Sequence, residues 1–256
     1  MKIFITGGTS GIGWALAEYY LNHGHQVGVC GRDLKKLPAV SKSFVGKYLE
    51  CFEVDVTDRE ALKEAIESFA QGDLDLLIAN AGISQGDKSS CPQFSVAREI
   101  LRTNLDGFLN TFEIGFKIMK KKGRGQLVGV SSVAGMVGLP GAAAYCGSKS
   151  ALLKMCESFS IDFKKFGIDV TTIAPGFIDT PLTKKNKHPM PFLMDSKKAA
   201  IKIAGAISKR KFLYIFPLRM KLLMVLLEKM PRSLYRFIMS FSRFAYPSHY
   251  EEGKQV

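Results

Sequence analysis

Short runs of strand-forming residues alternate along the chain with longer segments that carry apolar side chains every three or four positions. The first run comprises Ile3, Phe4 and Ile5, and it leads directly into a glycine-rich stretch at residues 7–13. From residue 12 to residue 20 the apolar side chains recur at the spacing of one helical face. The pattern predicts a strand, a tight turn and a helix, in that order.

The same alternation continues to residue 216. Strands separated by helices of this length favour right-handed crossovers and a parallel sheet that is covered on both faces. We therefore predict an α/β fold with a Rossmann-like, doubly wound and mostly parallel sheet of seven strands. The later strands are predicted at residues 25–30, 48–56, 74–79, 169–174 and 212–216, and one more strand ends at Ser131 and Ser132. The later helices are predicted at 96–122, at 143–166 and after a capping box formed by Thr57 and Glu60.

The length of 256 residues and the 46% hydrophobic content allow a full core, and the regular alternation predicts a single domain over residues 1–256. We divide it into a core at 1–181, a loop, helix and last strand at 182–217, and a basic amphipathic extension at 218–256. The longest apolar run is far shorter than the ~20 residues that span a bilayer. Strand residues follow Met1 and Lys2 directly, so we expect no secretory leader and a cytoplasmic location.

The cysteines form no CxxC pair and no cluster with histidine, which predicts reduced thiols and no metal site. Cys146 is interpreted as a space-filling thiol, because no histidine lies near it in sequence to activate it. The five cysteines are Cys30, Cys51, Cys91, Cys146 and Cys156.

The net charge of +13 is concentrated in the C-terminal part of the chain. Residues 182–256 hold 16 Lys and Arg against 4 Asp and Glu, which leaves 20 against 19 for residues 1–181. Beyond Pro217, one helical stripe is apolar and another is basic. Such a helix can lie at the inner face of a membrane, cover a hydrophobic substrate, or pack on its own domain or a second subunit. The apolar stripe is Leu234, Phe237, Ile238, Phe241 and Ala245, and the basic stripe is Arg232, Arg236, Ser240 and Arg243.

Gly7, Gly11 and Gly13 stand where the first strand meets the first helix. Glycine lets the backbone turn sharply and approach a ligand closely, and the N–H groups of a helix N-terminus attract anions. A glycine-rich loop can also be purely structural, but its place after the first strand of a βαβ unit favours a dinucleotide pyrophosphate as the ligand.

The second predicted strand leads into Gly31, Arg32 and Asp33, about where a dinucleotide fold selects its cofactor. An acidic side chain there binds the ribose 2′-OH of NAD, whereas an arginine accommodates the 2′-phosphate of NADP. Gly31 leaves space and Arg32 supplies positive charge, so NADP(H) is favoured. NAD(H) is the alternative, with Asp33 binding the ribose.

Tyr145 and Lys149 are four residues apart in a predicted helix, so both side chains lie on one face. A lysine ammonium near a phenol favours the phenolate, and we expect it to lower the pKa of Tyr145 from about 10. Ser132, at a strand end, is expected to hydrogen-bond the oxygen of a carbonyl or alcohol substrate. Ser131 is its rival, and only the spacing to Tyr145 separates the two serines.

The segments TGGTSGIG, NAG, Ser132, YCGSK and PGFIDT resemble the signature motifs of the short-chain dehydrogenase/reductase family, and the resemblance covers residues 1–181. It implies that Tyr145 moves a proton, Ser132 orients the substrate oxygen, Lys149 holds the nicotinamide ribose and tunes Tyr145, and Asn104 positions a water. Arg32 is similar to the arginine of NADP-preferring members, whereas Ser10 stands where many of them carry Lys or Arg. The implied cofactor contacts are Gly7, Thr9, Ser10, Gly11, Ile12 and Gly13 at the phosphates, Asp55 and Val56 at the adenine, Asn80, Ala81 and Gly82 under the ribose, Tyr145 and Lys149 at the nicotinamide ribose, and Pro175, Gly176, Ile178 and Thr180 at the nicotinamide face.

The resemblance implies hydride transfer between a nicotinamide and a carbon that bears oxygen. Because NADP pools are generally kept reduced, we expect reduction of a hydrophobic ketone or aldehyde of lipid, 3-oxoacyl or steroid type, under the loop that follows Thr180. The alternative is a catalytically silent dinucleotide-binding regulatory or scaffold protein that uses its basic segment to bind a membrane or a partner. Relatives commonly form homodimers through the helices that hold Asn104 and Tyr145, so a homodimer or larger homo-oligomer is expected. Nucleic acid is not an expected partner, because no nucleic-acid-binding module is recognisable.

Overall fold

A computed structural model of the protein describes residues 1–84, 93–185 and 189–241. Its strands are β1 Lys2–Thr6, β2 Gln26–Gly31, β3 Leu49–Glu53, β4 Leu76–Ala79, β5 Gly125–Val130, β6 Ile168–Pro175 and β7 Leu213–Phe216. They form one seven-stranded sheet in the order β3-β2-β1-β4-β5-β6-β7, and every neighbouring pair is parallel. The predicted doubly wound sheet is confirmed. Of the residues named above, Cys91, Arg243 and Ala245 lie outside the described residues.

Helices cover both faces of the sheet because successive side chains of each strand point to opposite sides. In β1, Ile3 and Ile5 pack in one apolar cluster, whereas Phe4 packs in the other. The first cluster includes residues of α1 and α6, and the second includes residues of α2, α4 and α5. The helices are α1 Gly11–Asn22, α2 Arg59–Ala70, α3 Phe94–Leu101, α4 Gly107–Lys122, α5 Ala143–Asp162, α6 Ser196–Ser208, α7 Leu218–Lys229 and α8 Arg232–Phe241.

The predicted capping box at Thr57 and Glu60 is wrong. Helix α2 is capped by Asp58, whose carboxylate accepts a hydrogen bond from the Ala61 N–H at 3.1 Å. The N–H and the hydroxyl of Thr57 both donate to Asp55 Oδ1, each at 2.9 Å. A carboxylate two residues earlier therefore holds Thr57 in an Asx turn, and the helix begins one residue later.

The C-terminal segment forms two helices, α7 and α8, because Pro231 has no backbone N–H and forces Met230 into an extended conformation. The side chains that pack on the domain are Met220 and Met224 of α7 and Tyr235 and Met239 of α8. Leu234, Phe237 and Ile238, which are the described part of the predicted apolar stripe, are exposed, so of the alternatives given above the stripe does not pack on its own domain. No helix in residues 1–84, 93–185 or 189–241 is long and apolar enough to cross a bilayer.

Two helical glycines are expected to respond oppositely to replacement by alanine. A Cβ at Gly13 would lie 2.2 Å from Gly7 O and 2.6 Å from Asn80 Nδ2, whereas a Cβ at Gly205 would meet no atom within 4 Å. We expect Gly13→Ala to lower the free energy of unfolding by about 1–3 kcal/mol through overpacking. Gly205→Ala should raise it by about 0.5–1 kcal/mol through helix propensity. Urea denaturation of both variants checks the pair, and equal effects would contradict the close approach at Gly13.

Candidate active site

The glycine turn between β1 and α1 is shaped to receive an anion. Gly7 and Gly11 have φ values of 64° and 56°, in the left-handed region that glycine adopts readily. Ser10 is the N-cap of α1, its side chain makes no capping hydrogen bond, and the first turn holds no acidic residue. The positive end of the helix dipole therefore faces a turn with no negative charge of its own.

Asn80, at the end of β4, fastens this turn to the neighbouring strand. Its Nδ2 donates to Thr6 O and to Gly7 O, each at 3.1 Å. A Cβ at Gly7 would lie 2.8 Å from the Cα of Ala81, so the two chain segments touch through backbone. Asn80 and Ala81 therefore line one side of the turn. The Asn80 amide also ties β4 to the end of β1.

Arg32 directly follows β2, and its side chain is exposed. The residues on either side of it make contacts of their own. Gly31 brings the chain against Thr9, since a Cβ there would lie 2.8 Å from the Thr9 side chain. The Asp33 carboxylate accepts a hydrogen bond from the Lys35 N–H at 2.9 Å and lies 3.7 Å from Lys36 Nζ. Asp33 is thus engaged by its own loop, whereas Arg32 presents charge next to the glycine turn.

The expected adenine residues follow β3. Asp55 is turned toward Thr57, as described above, and Val56 is buried against α4, where a Cβ at Gly107 would lie 2.4 Å from Val56 Cγ2. The end of β4 reaches deeper into the crevice. A Cβ at Gly82 would lie 3.2 Å from Asn104 Oδ1 and 3.4 Å from Lys149 Nζ, which joins this strand end to the expected catalytic residues.

The segment after β6 closes the other side of the glycine turn. A Cβ at Gly11 would lie 3.3 Å from the Thr180 side chain. Thr180 is buried and its hydroxyl is 3.2 Å from that of Thr183, and Ile178 is buried in the same core cluster into which Ile12 packs. Gly176 lies against α7, since a Cβ there would be 3.2 Å from Met220 and from Pro217. Pro175 is the last residue of β6, so the whole segment begins at a carboxyl strand end.

Asn104 lies in a π-helical turn, Arg102–Asp106, that interrupts the predicted helix between α3 and α4. The side chain is fully buried. Its Oδ1 accepts from the Ile83 N–H at 2.8 Å, and its Nδ2 donates to Ile83 O at 3.1 Å and to Ser148 Oγ at 3.0 Å. The amide therefore joins the chain after β4 to helix α5.

The two candidate serines have different partners. Ser131 Oγ donates to the Lys149 carbonyl oxygen at 2.6 Å, so this serine holds helix α5 against β5. Ser132 Oγ accepts from the Ala134 N–H at 3.1 Å, and the Ser132 side chain acts on the Tyr145 phenol, whose pKa it lowers. The structure thus brings Ser132 and Tyr145 together and directs Ser131 elsewhere.

The expected lowering of the Tyr145 pKa by Lys149 is wrong for the protein without cofactor. Burial raises the pKa of Tyr145, and the side chain of Ser132 opposes that rise. Lys149 Nζ donates to Val130 O at 2.9 Å and lies 5.8 Å from the Tyr145 ring centroid. Burial lowers the pKa of Lys149 to about 8, so its ammonium is itself destabilised and only weakly favours the phenolate.

Residues beyond those expected from sequence also hold the site. Ser148 receives the Asn104 amide, and its own hydroxyl donates to Tyr145 O at 2.8 Å. Its position three residues after Tyr145 in the same helix was a usable signal. Tyr235 of α8 donates its hydroxyl to Gly138 O, in the loop between Ser132 and Tyr145. No local pattern could reveal that contact, because 97 residues separate the partners.

Cys146 is buried beside the same loop, and burial raises the pKa of its thiol. Its Sγ accepts from the Leu139 N–H at 3.4 Å. The described residues contain no group of three or more His, Cys, Asp or Glu side chains that could hold a metal ion.

The crevice thus combines a glycine turn suited to a pyrophosphate with buried hydroxyl and amine groups, all at the carboxyl ends of parallel strands. That combination defines the class of dinucleotide-dependent oxidoreductases. Residues 1–191 match the family model of the short chain dehydrogenases, and the chain belongs to that family. It is therefore an oxidoreductase of the kind that acts on CH–OH or C=O groups.

Individual relatives agree with this class. The chain is 35% identical to an uncharacterized oxidoreductase of Myxococcus xanthus, over 90% of this chain and 93% of that protein. It is 32% identical to the 3-oxoacyl-[acyl-carrier-protein] reductase FabG of Thermotoga maritima, over 71% of this chain and 75% of that protein. A solved structure of ElxO with NADP bound is 28% identical, with a TM-score of 0.71 over 80% of this chain and 90% of ElxO.

The lowered pKa of Lys149 makes stability depend on pH. The unfolded chain keeps the lysine proton up to about pH 10.5, whereas the folded protein without cofactor releases it near pH 8. The unfolded state therefore binds more protons between these values, and the free energy of unfolding rises with pH. Measured against Lys149→Met by urea denaturation, wild type should gain up to about 3 kcal/mol from about pH 8 to about pH 10.5. A constant difference across that range would contradict the destabilised ammonium.

Proposed function

We propose that the protein is an NADPH-dependent reductase of hydrophobic ketones or aldehydes. The observation that carries the proposal is the meeting of Lys149 and Tyr145 in the crevice, with Lys149 Nζ 5.8 Å from the centroid of the tyrosine ring and next to Gly82 at the end of β4. Ser132 acts on the same phenol. This arrangement has the donor, the proton source and the cation that carbonyl reduction needs. No observation favours the alternative of a silent scaffold, since the groups required for chemistry are all present.

The crevice fits a dinucleotide. The close approach of Gly7 to the Ala81 backbone and of Gly11 to the Thr180 side chain keeps these two positions of the turn free of side chains of their own, at the positive end of α1. We infer that this turn, with Thr9, Ser10 and Ile12, holds the pyrophosphate. Asp55 and Val56 would hold the adenine, Asn80 to Gly82 the ribose, and Pro175 to Thr180 the nicotinamide. NADPH, when bound, supplies the hydride.

The preference for NADP(H) rests on Arg32. This exposed guanidinium stands next to the glycine turn, whereas the competing Asp33 carboxylate is engaged by Lys35 and Lys36. A 2′-phosphate carries negative charge and accepts hydrogen bonds, so it matches arginine better than a 2′-OH does. That ElxO, a relative in structure, has been solved with NADP supports the same choice.

In the proposed reaction Tyr145 gives its proton to the substrate oxygen while Ser132 donates a hydrogen bond to the same oxygen. The raised pKa of Tyr145 keeps the phenol protonated at neutral pH, as a proton donor requires. Lys149 then favours the phenolate that forms. Asn104 would position the expected water by accepting a hydrogen bond from it through Oδ1. Its side-chain N–H groups are not available for this, because they donate to Ile83 O and to Ser148 Oγ.

A hydrophobic substrate is supported by the residues around the segment after Ser132. Val133 and Val137 of this segment pack in one cluster with Met220 and Met224 of α7, and Met136 packs against it. Methionine is unbranched and adapts its shape to irregular apolar groups. The similarity to a 3-oxoacyl reductase supports an acyl chain as the group to be accommodated.

Removing either hydroxyl that acts on the substrate oxygen is expected to lower turnover strongly while cofactor binding remains. Tyr145→Phe and Ser132→Ala should each lower kcat by about 10²–10⁴-fold in NADPH-dependent reduction of a panel of 3-oxoacyl, steroid and small aldehyde substrates. NADPH affinity, followed by its fluorescence, should change little.

Ser131→Ala is the matched control for the serine. It removes the bond to the Lys149 carbonyl, which stabilises the fold by about 1 kcal/mol, but it removes no group from the substrate oxygen. We expect kcat within about tenfold of wild type. If Ser131→Ala lost as much activity as Ser132→Ala, the assignment of the serine would be wrong.

Arg32→Ala is expected to reduce cofactor discrimination. Loss of a charge-assisted hydrogen bond should lower kcat/KM for NADPH by roughly 10- to 100-fold while that for NADH changes little. Lys47→Ala is the control, because this exposed lysine precedes β3 and so lies at the amino end of a strand, whereas Arg32 follows the carboxyl end of β2. Equal losses with both cofactors would show that Arg32 does not read the 2′-phosphate.

A further inference from the structure

The two C-terminal helices have one face on the domain and another face in solvent. Met220 and Met224 of α7 and Tyr235 and Met239 of α8 supply the packed face. The other face, which we name the apolar outer face, consists of Leu218, Leu222, Leu223, Leu226, Leu234 and Ile238. We propose that the apolar outer face binds the surface of an anionic lipid membrane.

The first argument is the exposure of these apolar side chains and their regular spacing along the helices. Leu218, Leu222 and Leu226 follow one another at intervals of four residues, so they lie along one side of α7, and they are 66%, 62% and 62% exposed. Leu234 and Ile238 repeat the interval on α8 and are also exposed. Scattered apolar residues on a surface are ordinary, but a row of exposed leucines on one helix, followed by an exposed apolar pair at the same spacing on the next, is typical of an interaction site.

The charge of the same helices selects the partner. Residues 218–241 contain Arg219, Lys221, Lys229, Arg232 and Arg236 against the single acid Glu228. The side chains of all five basic residues are exposed. Basic residues next to an apolar helix face are the composition of segments that lie in a lipid interface, where they attract anionic headgroups.

The same charge argues against a second copy as the occupant. A symmetric dimer through this face would place it against itself, so the basic residues of one copy would approach those of the other. Like charges facing one another weaken such an interface. A membrane with anionic lipids avoids that repulsion and buries the leucines in its interfacial layer.

Vesicle co-sedimentation of the full chain tests the proposal. The protein should pellet with phosphatidylcholine vesicles that contain phosphatidylglycerol, pellet much less with phosphatidylcholine alone, and be released by salt. Lys229→Gln with Arg236→Gln should lower the partition coefficient by about fivefold for each charge removed. Leu222→Glu with Leu226→Glu should lower it by roughly a hundredfold or more.

Ile201→Glu is the matched control, since Ile201 is 59% exposed on α6, outside the apolar outer face. It should pellet like wild type, and circular dichroism should show that every variant is folded. Wild type that stays in solution with both vesicle types would overturn the proposal, and so would undiminished pelleting of the Leu222/Leu226 variant. A dimer that dissociates in that variant, without vesicle binding by wild type, would identify a second copy as the occupant. None of these readouts depends on enzymatic activity, so the proposed reductase function is tested separately.

Discussion

The close contact between the glycine turn and the end of β4 is the constraint on which the site depends. Asn80 bonds to the carbonyl oxygens of Thr6 and Gly7, and Gly13 allows α1 to start directly above this contact. Because only glycine fits there, the N-terminus of α1 is presented as bare backbone N–H groups at the carboxyl ends of β1 and β4. The position of the glycine turn therefore fixes where a dinucleotide can lie relative to the residues that follow β4 and β5.

A second layer of polar contacts holds the chemical groups against that turn. Asn104 joins the chain after β4 to Ser148 of α5, and Ser131 joins the end of β5 to the same helix. Helix α5 is therefore held by bonds at two successive points near Tyr145. The buried Lys149 has a carbonyl acceptor, yet burial lowers its pKa, so its ammonium form costs the folded state stability.

Much of the fold could be predicted from sequence, because alternating strands and helices with glycine turns allow few topologies. Several expected site residues also lie together, since carboxyl ends of parallel strands share one side of the sheet: Asn80 contacts the glycine turn, and Asn104 and Lys149 lie next to Gly82. Details set by the surroundings of a side chain could not be predicted: Asp55 takes Thr57 away from the cap of α2, and burial of the phenol raises the Tyr145 pKa. The sequence also left open what the apolar stripe of α8 contacts, and the structure shows that Tyr235 and Met239, rather than Leu234 and Ile238, pack on the domain.

The bond from Tyr235 to Gly138 has a consequence for how the protein is made. Synthesis on the ribosome runs from the N-terminus, so Ser132 and Tyr145 emerge long before the helix that supports the loop between them. The nascent chain can form its sheet around β1, β4 and β5 while that loop still lacks its last support. Completion of the crevice therefore has to wait until synthesis has passed α8.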